Sequence, residues 1–340
     1  MERPKDRDFI KTIEGLLFCV VGYLHPPDQV TAYLKYVPDP EGKWRKGDTY
    51  YSRVLSYYHV SQVERTYDYL REIHSEYLFN CPVRNIIVSS VPRYRIKTYY
   101  RPKDRLASIM EKPSDGLESK LRDLVKLLLG IADLEKRDLG VTGSILTGSH
   151  NAQFSDIDLT VSGQKASIAL KEGLREIKRN DGVIQSFNAS KKEAWSKKRA
   201  ERFPLSFRDL IKFADRRWNY GMYVGTYFSI HPVMTNQEVD EEYGECTYSS
   251  LGSVRGCATV ADASEALYLP SIYRLKDVET DSSYDVSEVV SFEGLYADMF
   301  YTGDRIEFFG ILERVEGKRS LYRAVVGGAG SELSYIKQLT

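Results

Sequence analysis

Two aspartates, Asp156 and Asp158, stand two residues apart at the head of the apolar run Ile157-Asp158-Leu159-Thr160-Val161, in a segment whose Ser155 lies eleven residues after the pair Gly143-Ser144. The run reads as a β-strand, and on a strand side chains two apart project from one face. Carboxylates placed side by side repel each other unless a cation sits between them. Such a pair of hard oxygen ligands suits Mg²⁺, which takes one or two protein carboxylates and completes its shell with water and phosphate oxygens. Gly143 lets the backbone approach an anion, and Ser144 adds a hydroxyl and an N–H to hold it. A plain tight turn is the other reading of Gly-Ser. An Asp-x-Asp alone is commonly a solvated turn or cap. Specificity comes from the whole constellation: an amphipathic helix, a short strand ending in Gly-Ser, a loop, then the Asp pair entering a strand.

Gly143-Ser144, Gly148 and Ser155-Asp156-Ile157-Asp158-Leu159 together resemble the signature of the DNA polymerase β superfamily of nucleotidyltransferases. The alternative register through Gly148-Ser149 leaves an unusually short loop, so Gly143-Ser144 is preferred. The resemblance covers roughly residues 114–235, and the overall layout is similar to a group of uncharacterised archaeal proteins predicted to be nucleotidyltransferases. It implies attack of a hydroxyl on the α-phosphate of a nucleoside triphosphate, with pyrophosphate leaving and Mg²⁺ as cofactor. Asp156 and Asp158 would then be catalytic metal ligands, with Gly143 and Ser144 holding the triphosphate. The superfamily also supplies a third carboxylate from a later strand. Here that strand, expected over 223–233, carries no acid, and Ser229 and His231 occupy the alternate positions. His231 is the candidate third metal ligand or base; a histidine merely hydrogen-bonded near a strand end is the competing reading.

At 340 residues, 42% apolar and 28% charged, the chain has material for two or three domains with real cores. The expected fold class is α+β. A polymerase-β-like core of mixed sheet and helices at 111–235 would be flanked by an N-terminal α+β domain at 1–110 and a C-terminal small β-barrel at 236–340. An oligonucleotide-binding type is the guess for that barrel. Cys19, Cys81, Cys246 and Cys257 are scattered without metal-ligand spacing and read as reduced thiols. No apolar run approaches a membrane span and the N-terminus is too charged for a secretion signal, so a cytoplasmic location without membrane contact is expected.

The formal net charge of zero removes a simple argument for nucleic-acid binding, but residues 189–217 are basic and 236–293 acidic. Local potential steers a polyanion. Arg216 and Arg217, just before the returning strand, are candidate nucleotide ligands. Strand alternation over 93–100 would set Arg93, Arg95, Lys97 and Tyr99 on one face for phosphates and a base, or simply toward solvent.

Strands are expected at 16–23 and 30–37 as a hairpin, at 85–89, 93–100, 139–142, 289–294, 305–315 and 321–327, with a loop at 42–48. Helices are expected at 60–77, 117–131, 166–178, 189–201 and 207–218. The leading expectation is a Mg²⁺-dependent nucleotidyltransferase with an RNA, DNA, protein or small-molecule acceptor, RNA favoured. The alternative is a catalytically silent scaffold of that fold that binds nucleotide or nucleic acid. A third reading has the Asp pair capping a loop in a structural protein.

Overall fold

The computed structural model describes residues 3–54, 60–180, 182–327 and 333–339. They form a mixed α+β structure with three sheets, divided into two compact units. The first unit comprises 1–56, 89–187 and 218–240, and the second 57–88, 188–217 and 241–340. Each unit is therefore assembled from stretches far apart in sequence.

In the first unit a sheet runs in the order Trp44–Lys46, Thr49–Arg53, Gln29–Pro38, Leu17–Val20, Phe9–Thr12, Ile96–Tyr100. The expected hairpin of 17–20 with 29–38 is present and antiparallel. Its register slips at one point. Leu17 faces Tyr36 while Phe18 faces Leu34, so Lys35 is the extra residue of a β-bulge. A bulge redirects side chains, and past it Tyr36 joins the face that carries Tyr33, Leu17 and Cys19. That face packs with Phe9, Tyr51 and Leu146 in one apolar cluster.

The unit's other sheet has the order Ile184–Gln185, Tyr220–Tyr223, Thr226–Val233, Ile157–Ser162, Leu139–Val141. Only the pairing of 157–162 with 226–233 is parallel. Helix Gly116–Ile131 matches its expected span. Asp115 accepts from the N–H groups of Leu117 and Glu118, and Leu117, Leu121, Leu124 and Leu128 are buried.

In the second unit, Cys246–Asp262, Ser271–Thr280, Val286–Ser291, Leu321–Val326 and Arg305–Gly317 form a sheet that closes on itself, since 305–317 also pairs with 246–262. In chain order the ring reads first, second, third, fifth, fourth. The third and fifth strands run parallel and all other neighbours are antiparallel. Helices Val60–Ile73, Ala189–Ala200 and Phe207–Arg216 belong to the same unit.

Several expectations are corrected. The 42–48 loop contains the strand Trp44–Lys46, which folds back on 49–53 across Gly47. The 60–77 helix ends at Ile73, followed by a single 3₁₀ turn, Ser75–Tyr77. A 3₁₀ turn at Arg93–Arg95 interrupts the 93–100 strand and with it the alternation that grouped four side chains. Arg95 there pairs with Glu14, and the Tyr99 hydroxyl donates to Asp8. The 223–233 strand is the second arm of a hairpin, whose turn at Val224-Gly225 takes positive φ at both residues. Helix Pro102–Glu111 has no counterpart in the expectations; its Pro at the first position is a start signal. Beyond 246 the strands range from 4 to 17 residues, the first being the longest.

His25 reports on the first unit's folding. The Thr31 N–H donates to its Nδ1 at 3.2 Å, so Nε2 carries the proton and donates to the Pro4 carbonyl at 3.2 Å. Burial, with smaller help from the charges of Arg93 and Arg3, lowers its pKa from 6.5 to about 4. The unfolded chain therefore binds the extra proton between these values. His25's contribution is complete above pH 6.5 and is lost as pH falls toward 4, by roughly 3 kcal/mol at most. Denaturant unfolding at pH 7.5 and 4.5 should show that loss in the wild type and a smaller loss in His25→Gln. Equal losses in both would refute the assignment.

Candidate active site

The site is built where the strand Ile157–Ser162 emerges. The Thr142 N–H donates to the Asp158 carbonyl at 2.8 Å, extending the antiparallel pairing of 139–141 with 159–161. This brings the start of the short helix Gly143–Thr147 against the Asp158 side chain. Gly143 has φ +69°, and a Cβ there would lie 2.6 Å from Asp158 Oδ2. Glycine is required twice over, for the left-handed backbone and for the space. Gly148 closes the same helix with φ +69°. The following loop is internally tied: the Ser155 N–H donates to the Asn151 carbonyl, and the Asn151 N–H to Ser155 Oγ.

The parallel register sets Ser229 opposite Asp158 and His231 opposite Thr160. Ser229 Oγ donates to Asp158 Oδ1 at 2.5 Å and lies 2.9 Å from His231 Nε2. Since the serine proton is committed to Asp158, the serine oxygen accepts from His231, which fixes the Nε2–H tautomer. Burial and the charge of Arg7 lower the His231 pKa to about 4 against the opposing pull of Asp158, so the imidazole is neutral at pH 7. Asp158 feels the reverse balance. Burial raises its pKa, but His231, the Lys35 charge and the Ser229 hydroxyl outweigh it and hold the carboxyl well below the usual range. Asp156 is exposed, yet desolvation and the neighbouring Asp158 charge raise its pKa to about 6, with Arg53 opposing.

Asp156, Asp158, Gly143, Ser144 and His231 all lie in the first unit, and His231 Nε2 is 3.9 Å from Asp158 Oδ1. Arg216 and Arg217 lie in the second unit. Arg216 donates to Asp304 and the Met299 carbonyl, and Arg217 to the carbonyls of Gly294 and Leu295. Among the described residues, no group of three or more His, Cys, Asp or Glu is placed to hold a metal ion.

Sequence reasoning missed three cations whose charges bear on the Asp pair, Arg7 and Lys35 on Asp158 and Arg53 on Asp156. They lie more than a hundred residues upstream, and no spacing rule links them to the motif. The one local trace is a lysine within the apolar strand Val30-Thr31-Ala32-Tyr33-Leu34-Lys35-Tyr36-Val37.

Replacing Gly148 with Ala should cost about 1–2 kcal/mol for the left-handed backbone alone, because the nearest atoms to its Cβ are 3.9 Å away on the flexible Lys46 side chain. Gly143→Ala should cost at least about 1 kcal/mol more, from crowding Asp158. Denaturant midpoints of the two variants compare these, and equal losses would show that the contact with Asp158 adds nothing.

No family model and no solved structure matches the chain. Among curated proteins it is similar to the uncharacterized protein MJ1086 of Methanocaldococcus jannaschii, with 30% identity over 338 residues that span 97% of this chain and 98% of that protein. Among the described residues no helix is long and apolar enough to cross a membrane.

Proposed function

We propose that this chain, which belongs to the family of the M. jannaschii protein MJ1086, transfers a nucleoside monophosphate from a nucleoside triphosphate to a hydroxyl acceptor. The observation that carries this reading is the convergence of Asp156, Asp158 and Gly143. Two carboxylates interact at a strand head, and one abuts a glycine with no room for a side chain. In the reaction the acceptor oxygen bonds to the α-phosphorus as the bond to the bridging oxygen breaks. Pyrophosphate leaves with that electron pair, and the acceptor's proton passes to water.

The donor set fits Mg²⁺, because hard carboxylate oxygens side by side form a pair whose mutual repulsion a divalent ion relieves. Asp156 and Asp158 would hold it, and the ion would neutralise charge developing on the phosphate oxygens. Ser229 and His231 act on Asp158 through the hydrogen-bond chain, fixing the rotamer of that carboxylate. On this reading the 111–235 segment is a polymerase-β-like core. The ring of the second unit, with its first-second-third-fifth-fourth order and parallel third and fifth strands, is an oligonucleotide-binding-type barrel. That barrel favours RNA as the acceptor.

One observation favours a second reading, a silent scaffold that holds nucleotide without transferring it. Ser229 and His231 stand where the superfamily's third carboxylate is expected. Incubation with Mg²⁺ and α-labelled nucleotides should give incorporation into RNA with pyrophosphate release. Asp156→Asn and Asp158→Asn should each lower the rate at least about a hundredfold, as loss of a charge-stabilising group does. Unchanged incorporation in the double variant excludes the site. Nucleotide binding without any pyrophosphate establishes the scaffold instead.

A further inference from the structure

The sheet that carries Phe9–Thr12, Leu17–Val20, Gln29–Pro38 and Thr49–Arg53 does more than cover the short helix after Gly143. Two of its polar groups sit at departures from regular backbone. Lys35 is the extra residue of the bulge between Leu34 and Tyr36, and its ammonium lies over the rings of Phe9 at 5.1 Å and Tyr36 at 5.9 Å. Phe9 and Tyr36 share a cluster with Leu146 of that short helix, so these ring contacts put the Lys35 ammonium on the helix side of the sheet. The residue is only 7% exposed. Arg7 adopts a left-handed backbone, φ 71°, rare for a non-glycine residue. It is held there because its N–H donates to the Val20 carbonyl at 3.1 Å and its own carbonyl accepts from Thr142 Oγ1 at 2.7 Å. Thr142 is the residue before Gly143.

Arg53 approaches from the other edge. Its guanidinium lies 4.6 Å from the Trp44 ring centre and 5.7 Å from that of Tyr36. Trp44 meets Phe154 edge-on at 5.9 Å, two residues before Asp156. The Arg45 N–H donates to the Ser149 carbonyl at 3.1 Å, tying the same strand to the loop that leads to the Asp pair. Stacked on Trp44, the guanidinium is positioned without losing its planar donors.

We propose that Lys35 and Arg53 form a clamp for the polyphosphate tail of a nucleoside triphosphate, with Arg7 as a positioning residue that joins the sheet to the Gly143 turn. The inference rests on the nucleotidyl-transfer reading for the site it adjoins, and it adds the groups that grip the substrate's charge. The chemistry is that of a dense oxyanion. Arg53 offers bidentate donors and Lys35 a compact charge in a largely desolvated place, where each ionic contact counts for more than in water. Two carboxylates alone repel a triphosphate. A divalent ion held by the pair would remove that repulsion, and Lys35 and Arg53 would add positive charge beside it.

Calorimetric titration in Mg²⁺ buffer with inorganic tripolyphosphate, ATP and AMP tests the clamp. The wild type should bind tripolyphosphate and ATP and bind AMP far more weakly. Lys35→Met and Arg53→Gln should each weaken tripolyphosphate and ATP at least tenfold, with AMP unmoved, and Lys35→Arg should recover most of the Lys35 loss. Arg53 is exposed, so its variant keeps the question open to test even if the Lys35 variant fails to fold. Folded Arg53→Gln protein that binds tripolyphosphate like the wild type overturns the proposal, as does a wild type that binds none. An oligoribonucleotide without terminal phosphates that displaces tripolyphosphate and is itself weakened by Arg53→Gln also overturns it, assigning the cations to a nucleic-acid backbone. Transfer lost in the Asp variants while clamp variants bind normally rejects the clamp and keeps the transfer reading. Tenfold-weakened binding in the clamp variants, with no pyrophosphate released by the wild type, keeps the clamp and rejects transfer.

Discussion

The carboxylate of Asp158 is the group on which the first unit's arrangement turns. A partly buried carboxylate is costly unless its oxygens are hydrogen-bonded and its charge is balanced. Here Oδ1 accepts from Ser229, which in turn accepts from a neutral His231. Oδ2 faces Gly143, where only the absence of a side chain admits it. Lys35 supplies opposing charge from the neighbouring sheet. These partners sit on three elements, the strand 226–233, the short helix at Gly143 and the strand 29–38, so those elements are fixed around one group. The parallel pairing of 157–162 with 226–233 is what brings Ser229 level with Asp158, and a slip of one residue would turn Ser229 and His231 to the opposite face.

The two aspartates end up with opposite protonation tendencies although they are only two residues apart. Asp158 is surrounded by donors and positive charge and is held low. Asp156 has fewer partners and feels its neighbour's charge, and it rises to about 6. The difference comes from environment, since the two side chains are chemically identical. An interacting pair with separated tendencies is a recurring feature of functional sites, though ion-pair networks produce it as well. What makes it bear on chemistry here is its position at a strand head beside a glycine turn.

Much of the local structure was legible in the sequence. The Leu117, Leu121, Leu124, Leu128 repeat marks the buried face of its helix, and of the two residues before it that can cap, Ser114 and Asp115, the structure uses Asp115; capping and helical spacing are local properties. Leu139–Val141 leading into Gly143, and the Asp pair entering 157–162, were readable for the same reason. The closed ring was anticipated only in outline, since strands 305–317 and 321–326 show their pattern while closure through 246–262 is long-range. The misses have physical causes. The turn at Val224-Gly225 carries weak turn chemistry, with a β-branched residue at positive φ, so the hairpin read as one strand. Trp44-Arg45-Lys46, with two charged residues, reads as a loop and becomes a strand because 49–53 pairs with it. The interleaving of distant stretches in each unit cannot be seen from order along the chain.

The cations around the Asp pair show why a motif captures only part of a site. Regular alternation along 29–38 would set Lys35 on the face that carries Tyr33 but send Tyr36 to the other, and the sequence context gives no hint of the bulge that brings Tyr36 round. Arg7 reaches its place through a backbone conformation that costs about 1–2 kcal/mol for a non-glycine residue. Such conformations persist only where surrounding bonds over-determine them. Arg7 has three such restraints: the bond to Val20, the bond from Thr142, and an ion pair with Asp6 at 3.3 Å. The irregular backbone and the half-buried carboxylate thus support one another. Removing Asp158 would take away part of the negative charge that favours the charged form of Arg7, whose main counter-ion is Asp6, and removing the cations would take opposing charge from Asp158. Because breaking a buried charge arrangement on one side costs more than never building it, residues as distant in sequence as Arg7 and His231 hold their positions together.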